Sequence, residues 1–190
     1  MKNKIRNKLL TQRLNLSPKE VSILSEKITK KIKLLPEFKK AKTILLYHPI
    51  KNEVDPTPLF ATTKSSKTSK KIFAFPLTHS ASHRMTLHEI TDLNDLELDE
   101  FNIKSPTKKH KRIAIKNIDL VITPGLAFDK NGHRIGYGKG YFDKLFKSLS
   151  TNCVKIALAY DFQITENVPA EKHDKKVDMI VTEKRIIKIK

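Results

Sequence analysis

The chain has 190 residues, of which 38 are Lys or Arg and 20 are Asp or Glu, so its formal net charge at pH 7 is +18. A chain of this length buries roughly 70% of the surface that its unfolded form exposes, so it needs no disulfide or metal to hold a core. Its one cysteine, Cys153, excludes an internal disulfide, and no apolar run approaches the ~18 residues of a membrane span.

The first predicted element is a short basic helix at residues 2–14. Ile5, Leu9 and Leu10 recur there at helical spacing. The segment lacks the uninterrupted apolar stretch and the small-residue cleavage site of a signal peptide. We therefore expect a cytoplasmic protein.

A second helix is predicted over residues 18–34. Ser17 precedes Pro18, and Glu20 follows the serine by three residues, which is the pattern of a capping box with proline in the first turn. Apolar residues then recur on one helix face: Val21, Leu24, Ile28 and Ile32. Pro36 ends the pattern.

Short apolar runs predict the strands of a sheet. They are TILLYHP at 43–49, KIFAFP at 71–76, RMTLHEI at 84–90, IDLVITP at 118–124, KIALAY at 155–160 and DMIVT at 178–182. Several are apolar throughout and are separated by helical stretches, which is typical of a mainly parallel sheet covered on both faces. RMTLHEI alternates, so we expect a half-exposed or edge strand there.

Two basic loops interrupt this pattern without separating two cores. TTKSSKTSKK at 62–71 has low complexity, and FNIKSPTKKHKR at 101–112 is broken by proline. No internal repeat is visible. We predict one α/β domain over residues 1–190.

The positive charge admits several interpretations. The lysines are scattered along the whole chain and are not interleaved with the aromatic residues that base stacking requires. A solvated surface, or a field that steers small anionic substrates, therefore fits better than a dedicated nucleic-acid face. A nucleic-acid-binding α/β protein remains an alternative.

The stretch HRIGYGKGYFDKLF, residues 133–146, places three of the five glycines around one lysine, between a predicted strand and a predicted helix. Glycines let backbone N–H groups approach phosphate oxygens, and a helix N-terminus and Lys139 add positive charge. The glycines alternate at 136, 138 and 140, so neither a Walker A loop nor a Rossmann loop fits. A phosphate site is favoured, with a tight structural turn as the alternative.

Asp143 falls in the first turn of the predicted helix that follows. A carboxylate beside bound phosphates is a typical ligand of Mg²⁺, which takes one or two carboxylates together with phosphate oxygens and water. The alternative is an interaction with the helix dipole, worth roughly 0.3 to 1 kcal/mol.

The longer stretch TPGLAFDKNGHRIGYGKGYFDKLF, residues 123–146, resembles the 5-formyltetrahydrofolate cyclo-ligase family. The resemblance extends to KNKIR at the N-terminus, to YHPIKNEVD at 47–55, and to ALAYDFQ and VPAEKHDKKVDMIVTE within 157–183. It implies a three-layer α/β sandwich, a mainly parallel sheet flanked by helices. It also implies that ATP and Mg²⁺ drive cyclisation of 5-formyltetrahydrofolate, with or without a polyglutamate tail, to 5,10-methenyltetrahydrofolate. ADP and phosphate are released after phosphorylation of the formyl oxygen.

The resemblance also implies site residues. Those for ATP are Lys2, Asn3, Lys4, Ile5 and Arg6, then Arg134, Ile135, Gly136, Tyr137, Gly138, Lys139, Gly140, Tyr141 and Phe142. Those for the folate are Ile50, Glu53 and Asp55, together with Tyr137, Gly138, Lys139, Gly140 and Tyr141. Lys139 and Arg134 are the implied catalytic residues, and Asp143 and Asp174 the implied metal ligands.

The middle of the chain follows the family pattern less closely. The family often has Gly-Ile-x-Glu-Pro where this chain has NIKSP at 102–106. We therefore expect His79, His83 and Met85 to be structural or surface residues. A sugar-phosphate isomerase or transferase on a similar scaffold, which would not need ATP, is a second alternative.

Overall fold

The computed structural model describes residues 1–64, 71–171 and 174–189, and only the backbone at 61–64. Its helices in those ranges are α1 (Lys2–Leu14), α2 (Pro18–Leu34), α3 (Pro36–Lys40), α4 (Thr57–Lys64) and α5 (Tyr141–Ser148). The first two match the predicted ranges. Most of the low-complexity stretch at 62–71 lies outside the described residues. Within them, no helix combines the length and the hydropathy needed to cross a bilayer.

The start of α2 is the predicted capping box. The Glu20 amide donates to Ser17 Oγ at 3.3 Å, and the Ser17 amide donates to Glu20 Oε2 at 2.8 Å. Two backbone donors at the helix start are thus satisfied. Pro36 does end α2, but it also begins the short helix α3, because proline is well suited to a first helical position.

The described strands form three sheets. In chain order they are β1 (Thr43–Leu45), β2 (Ile72–His79), β3 (Arg84–Glu89), β4 (Glu97–Leu98), β5 (Lys104–Ser105), β6 (Arg112–Ile113), β7 (Leu120–Thr123), β8 (Ala127–Asp129), β9 (Arg134–Ile135), β10 (Val154–Leu158), β11 (Ile164–Thr165), β12 (Met179–Val181) and β13 (Ile186–Lys188). The largest sheet has the order β13-β12-β10-β7-β1-β2-β3-β6. β11, β8 and β9 form a small sheet, and β4 pairs with β5.

The centre of the large sheet is parallel, as predicted. β12, β10, β7, β1 and β2 run in one direction, and antiparallel strands are added at both ends. β3, expected to be half-exposed or at the edge, pairs with β2 along its whole length. On its other side it pairs with the short strand β6 over two residues only, at Leu87 and His88.

Alternate residues of the central strands enter two cores. Ile44, Leu120 and Ile156 pack beneath α2, α3 and α4, in a core that includes Ile28. Their neighbours Leu45, Val121 and Ala157 pack on the opposite face, against Leu145 and Phe146 of α5. Helices therefore cover both faces, which confirms the three-layer α/β sandwich.

The connection from β7 to α5 is longer than the sequence pattern predicted. A strand leading directly through the glycines into a helix was expected, but the β8–β9 hairpin stands between β7 and the glycines. Asp129 stabilises its turn, because its carboxylate accepts hydrogen bonds from the Asn131 amide at 2.9 Å and the His133 amide at 3.0 Å. The hairpin brings residues 136–140, here called the glycine loop, to the carboxyl ends of β1 and β7.

Candidate active site

A cavity of about 670 Å³ lies where the parallel strands β1 and β7 end. Its walls come from α1, the loop after β1, the β4–β5 hairpin, the glycine loop, Glu171 and Asp174. The volume falls within the roughly 300–1,000 Å³ of ligand sites, and the carboxyl ends of strands are where open α/β sheets bind ligands.

The glycine loop forms one side of this cavity. Gly138 and Gly140 have φ values of 96° and 68°, in the left-handed region that glycine adopts without strain. Gly140 directly precedes α5, and the first turn of α5 lines the cavity. The unpaired N–H groups of a helix start therefore border the cavity, which suits an anion.

Helix α1 brings two cations to the same side. Arg6 Nε donates to the Gly136 carbonyl at 3.0 Å. Lys2 Nζ lies 2.8 Å from both Glu171 Oε1 and Asp174 Oδ2. Burial lowers the pKa of Lys2, but hydrogen bonds to these two carboxylates outweigh it and raise the pKa above its usual value. The four-residue spacing of Lys2 and Arg6 thus places both at the cavity.

Three other predicted ATP residues of α1 do not line the cavity. Asn3 accepts a hydrogen bond from the Arg6 guanidinium through its Oδ1. Lys4 is exposed, and Ile5 packs on the small core around Leu9. These side chains lie beside the cavity, and their contact with ATP remains a prediction.

Arg134 is buried between aromatic rings. Its guanidinium carbon lies 5.4 Å from the ring centroid of Phe142 and 5.2 Å from that of Phe146. Its Nη2 donates to Asp143 Oδ1 at 3.0 Å. Among the described residues, Arg134 Nε and the Tyr141 hydroxyl have no hydrogen-bond partner although both are buried. Two unpaired donors at a cavity wall fit a ligand rich in oxygen atoms.

The two predicted metal ligands lie on the same side of the cavity. Burial lowers the pKa of Arg134, and the charges of Asp143 and Asp174 oppose that decrease, so both carboxylates act on one guanidinium. The described residues contain no cluster of three metal-ligating side chains. Two carboxylates that line one cavity are nevertheless a donor set that would suit Mg²⁺, which completes its shell with phosphate oxygens and water.

The predicted folate residues are placed differently from one another. Ile50 and Glu53 line the cavity. Glu53 is only 3% exposed, its Oε2 accepts from the Ile50 amide at 3.1 Å, and its Oε1 has no hydrogen-bond partner among the described residues, although Arg13 Nη1 lies 3.8 Å away. Burial raises the pKa of Glu53 to about 7, against the opposing charge of Arg13. Asp55 lies off the cavity lining.

The local role of Asp55 is at the start of α4. Its Oδ1 accepts from the Thr57 amide at 2.8 Å, which satisfies one of the first backbone donors of that helix. Its contact with the folate remains a prediction that the cavity lining does not support.

Sequence analysis missed one wall of the cavity. Met85, expected to be structural or at the surface, is buried and also lines the cavity. The β4–β5 hairpin adds Phe101 and Ile103 to the cavity lining. Two apolar residues in an otherwise basic loop were the available signal for this wall. His79 Nε2 lies 2.9 Å from Thr86 Oγ1. The His83 ring lies 5.9 Å from that of Tyr141.

Arg13 was also missed, and it is 1% exposed. Its guanidinium lies below the cavity between the loop after β1 and the glycine loop. The signal in the sequence was its place on α1, since Lys2, Arg6, Leu9 and Arg13 recur at the spacing of one helix face.

Known proteins are similar to this chain in sequence and fold. The model of the 5-formyltetrahydrofolate cyclo-ligase family matches residues 1–183. The 5-formyltetrahydrofolate cyclo-ligase of Mycoplasma genitalium is 33% identical over 181 residues, which cover 95% of this chain and 96% of that protein. The mouse protein of that name is 30% identical, over 92% of this chain and 90% of its own.

Solved structures agree with these relatives. The 5,10-methenyltetrahydrofolate synthetase of Aquifex aeolicus, determined by NMR, superposes with a TM-score of 0.86 at 37% identity, covering 100% of this chain and 93% of that one. A 5,10-methenyltetrahydrofolate synthetase from Mycoplasma pneumoniae gives a TM-score of 0.77 at 28% identity, over 96% and 98% of the two chains.

Proposed function

Because the chain belongs to the 5-formyltetrahydrofolate cyclo-ligase family, we propose that it converts 5-formyltetrahydrofolate and ATP to 5,10-methenyltetrahydrofolate, ADP and phosphate. The reaction takes place in the cytoplasm, with one domain supplying the whole site.

One observation supports this proposal: a continuous cavity has a side lined by cations and an apolar side with a buried acid. Lys139 and Arg134 line the first, and Met85 and Glu53 line the second. A reaction that transfers a phosphoryl group to a folate needs both sides in one cavity, because the two substrates must be in contact.

The chemical difficulty is the formyl group, since a formamide carbon is a poor electrophile and its oxygen a poor leaving group. The formyl oxygen attacks the γ-phosphorus and ADP departs. N10 then closes the ring on the activated carbon, loses its proton, and phosphate leaves with the former formyl oxygen. Lys139 and Arg134 neutralise the charge on the phosphoryl group in transfer, while Lys2 and Arg6 hold the other phosphates.

The apolar side orients the folate. Glu53 Oε1 accepts hydrogen bonds from the guanidine-like edge of the pterin, because the N–H groups of that edge are donors and a carboxylate is an acceptor. Ile50 and Tyr137 pack on the ring. Lys51 and Lys104 are exposed at the cavity lining, where cations suit the glutamate tail of the substrate, with one or several glutamates.

Asp143 and Asp174 are the residues that would hold Mg²⁺. The ion, when bound with ATP, shields the phosphate charge. Asp174→Asn is expected to raise the magnesium concentration needed for activity, and combining it with Asp143→Asn should give a non-additive effect, because both serve one ion.

Magnesium titration at fixed ATP measures this expectation. Glu171→Gln is the matched control, since Glu171 shares Lys2 with Asp174 but is not a proposed ligand. Equal magnesium curves for wild type and Asp174→Asn would leave Asp143 and the ATP oxygens as the metal site.

The activity is tested with purified protein, Mg-ATP and 5-formyltetrahydrofolate, by following the near-ultraviolet absorbance of the methenyl product. Product that forms only when ATP and the folate are both present supports the proposal. A folded protein that forms none would refute it.

A further inference from the structure

The buried guanidinium of Arg13 joins three separate segments. Its Nε donates to the Lys51 carbonyl at 2.9 Å and its Nη1 to the Gly125 carbonyl at 3.1 Å. Its Nη2 donates to the Tyr137 hydroxyl. The three acceptors belong to the loop after β1, the turn after β7 and the glycine loop, all of which line the cavity.

The loop after β1 is fixed to the same end of α1. Lys51 and Asn52 have φ values of 49° and 57°, an unfavourable region for residues other than glycine. The Asn52 side-chain amide donates to the Leu16 carbonyl at 2.9 Å just beyond α1. Together with the contact from Arg13 to the Lys51 carbonyl, this holds the strained pair and thereby sets the position of Glu53.

The Glu53 carboxylate accepts hydrogen bonds from a ligand best when its position is fixed and a cation lies nearby. Its Oε1 lies 3.8 Å from Arg13 Nη1 and borders the cavity without a hydrogen-bond partner among the described residues. A carboxylate oxygen of a residue only 3% exposed is costly without a hydrogen bond, even beside the charge of Arg13, unless a ligand donates to it.

Several titratable groups act on Glu53 from the elements around it. They are Arg13 from α1, Tyr137 from the glycine loop, Tyr47 after β1, Tyr160 after β10 and Lys51 on its own loop. Of the two cations, Lys51 is exposed whereas Arg13 is fully buried. Arg13 is therefore the cation least screened by solvent.

We propose that Arg13 is a positioning residue for the folate: its charge attracts the Glu53 carboxylate and its hydrogen bond holds the Tyr137 ring in place, so that Glu53 Oε1 is presented to the pterin. Arg13 acts through these two residues and does not itself line the cavity. This inference rests on the proposed function and adds a residue of α1 to its folate side.

The test compares Arg13→Gln, which removes the charge, with Arg13→Lys, which keeps it. Calorimetric titration gives the affinity for 5-formyltetrahydrofolate from pH 6 to 8.5, and steady-state kinetics give both KM values. Arg13→Gln is expected to weaken folate binding about tenfold or more, with a much smaller effect on the KM for ATP. It should also move the loss of binding at low pH to higher pH, because Glu53 loses its stabilising cation.

Arg13→Lys should bind the folate less tightly than wild type but keep the wild-type pH dependence. A merely structural arginine would not separate the two variants in this way. If Arg13→Gln does not fold, Arg13→Lys and Tyr137→Phe carry the test, and their effects on folate affinity should be non-additive.

Two variants serve as controls. Arg185→Gln removes the same charge from the bidentate surface pair with Asp161, and Ile180→Val lowers stability in the core on the other face of the sheet. Wild-type folate affinity and pH dependence in folded Arg13 variants would overturn this inference alone. A wild-type protein that binds no 5-formyltetrahydrofolate would overturn the proposed function and this inference with it.

Discussion

Lys139 is an exposed residue of the glycine loop whose side chain borders the cavity, so it adds little to packing. Lys139→Ala is expected to lower turnover by roughly a hundredfold or more, the scale for losing one preorganised charge, with thermal stability nearly unchanged. Steady-state kinetics and a thermal melt measure both. Lys147→Ala, an exposed lysine on α5 that does not line the cavity, is the control. Unaltered turnover in Lys139→Ala would reduce the glycine loop to a structural turn.

The ionisation of Glu53 should be visible in folding stability. Because burial raises its pKa to about 7 in the folded protein, the folded state binds more protons than the unfolded state between the usual carboxyl pKa and that value. Glu53 therefore contributes stability below the usual value that is lost as the pH rises towards 7. Glu53→Gln should have a flatter dependence of Tm on pH from 5 to 7.5, with Glu166→Gln as an exposed control. The same slope in wild type and Glu53→Gln would contradict this burial effect.

Single residues were predictable where their neighbours in the chain supply the reason. Gly138, Lys139 and Gly140 form one local motif, and the prediction of a phosphate site follows from its exposed backbone N–H groups and its cation. The pair of Arg13 and Glu53 was not predictable, because the two are 40 positions apart and only the fold brings them to 3.8 Å. Asp55 shows a local role that the sequence did not reveal, since it accepts from the Thr57 amide, while its contact with the folate stays a prediction.

At the scale of elements, the first residues of α1 line the cavity and its middle packs in a core. Lys2 and Arg6 are at the cavity, whereas Leu9 lies in a small core with Ala127 and Ile135. Deleting residues 1–6 should therefore raise the KM for ATP far more than the KM for the folate. Initial-rate measurements with each substrate varied in turn give both constants. An unchanged KM for ATP would remove α1 from the nucleotide site.

Long elements were predicted well and short ones were not. The caps and one-sided apolar pattern of α2 determine its ends locally. β4, β5, β6, β9 and β11 have two residues each, which is too short for any periodic pattern to indicate. The β8–β9 hairpin was missed for this reason, although the Asp129 turn that organises it is local in the sequence.

At the scale of the whole molecule, the net charge of +18 acts on both substrates, which are anions. Raising the ionic strength from about 50 mM to about 500 mM should raise both KM values several-fold while kcat changes little, because salt screens long-range attraction. Kinetics in potassium chloride measure this. If the KM values are insensitive to salt, the charge serves solvation only. Tight oligonucleotide binding that falls steeply with salt, without turnover, would instead favour the nucleic-acid alternative.

The layered architecture was predictable because its cause is compositional. Strands that are apolar on both faces must be covered on both faces, and the two cores on either side of β1, β7 and β10 confirm that reasoning. The strand order was not predictable, since it depends on which strands meet across the sheet. That order nevertheless decides function, because it places the ends of β1 and β7 together at the cavity.

Helix α1 spans about 20 Å at 1.5 Å per residue, with Lys2 and Arg6 near one end and Arg13 near the other. A ligand that orders one end of α1 also orders the other end. The second ligand therefore loses less conformational entropy when it binds. The two substrates should then be positively cooperative. Thermodynamic linkage makes that cooperativity reciprocal: the factor by which a nucleotide tightens folate binding must equal the factor by which the folate tightens nucleotide binding.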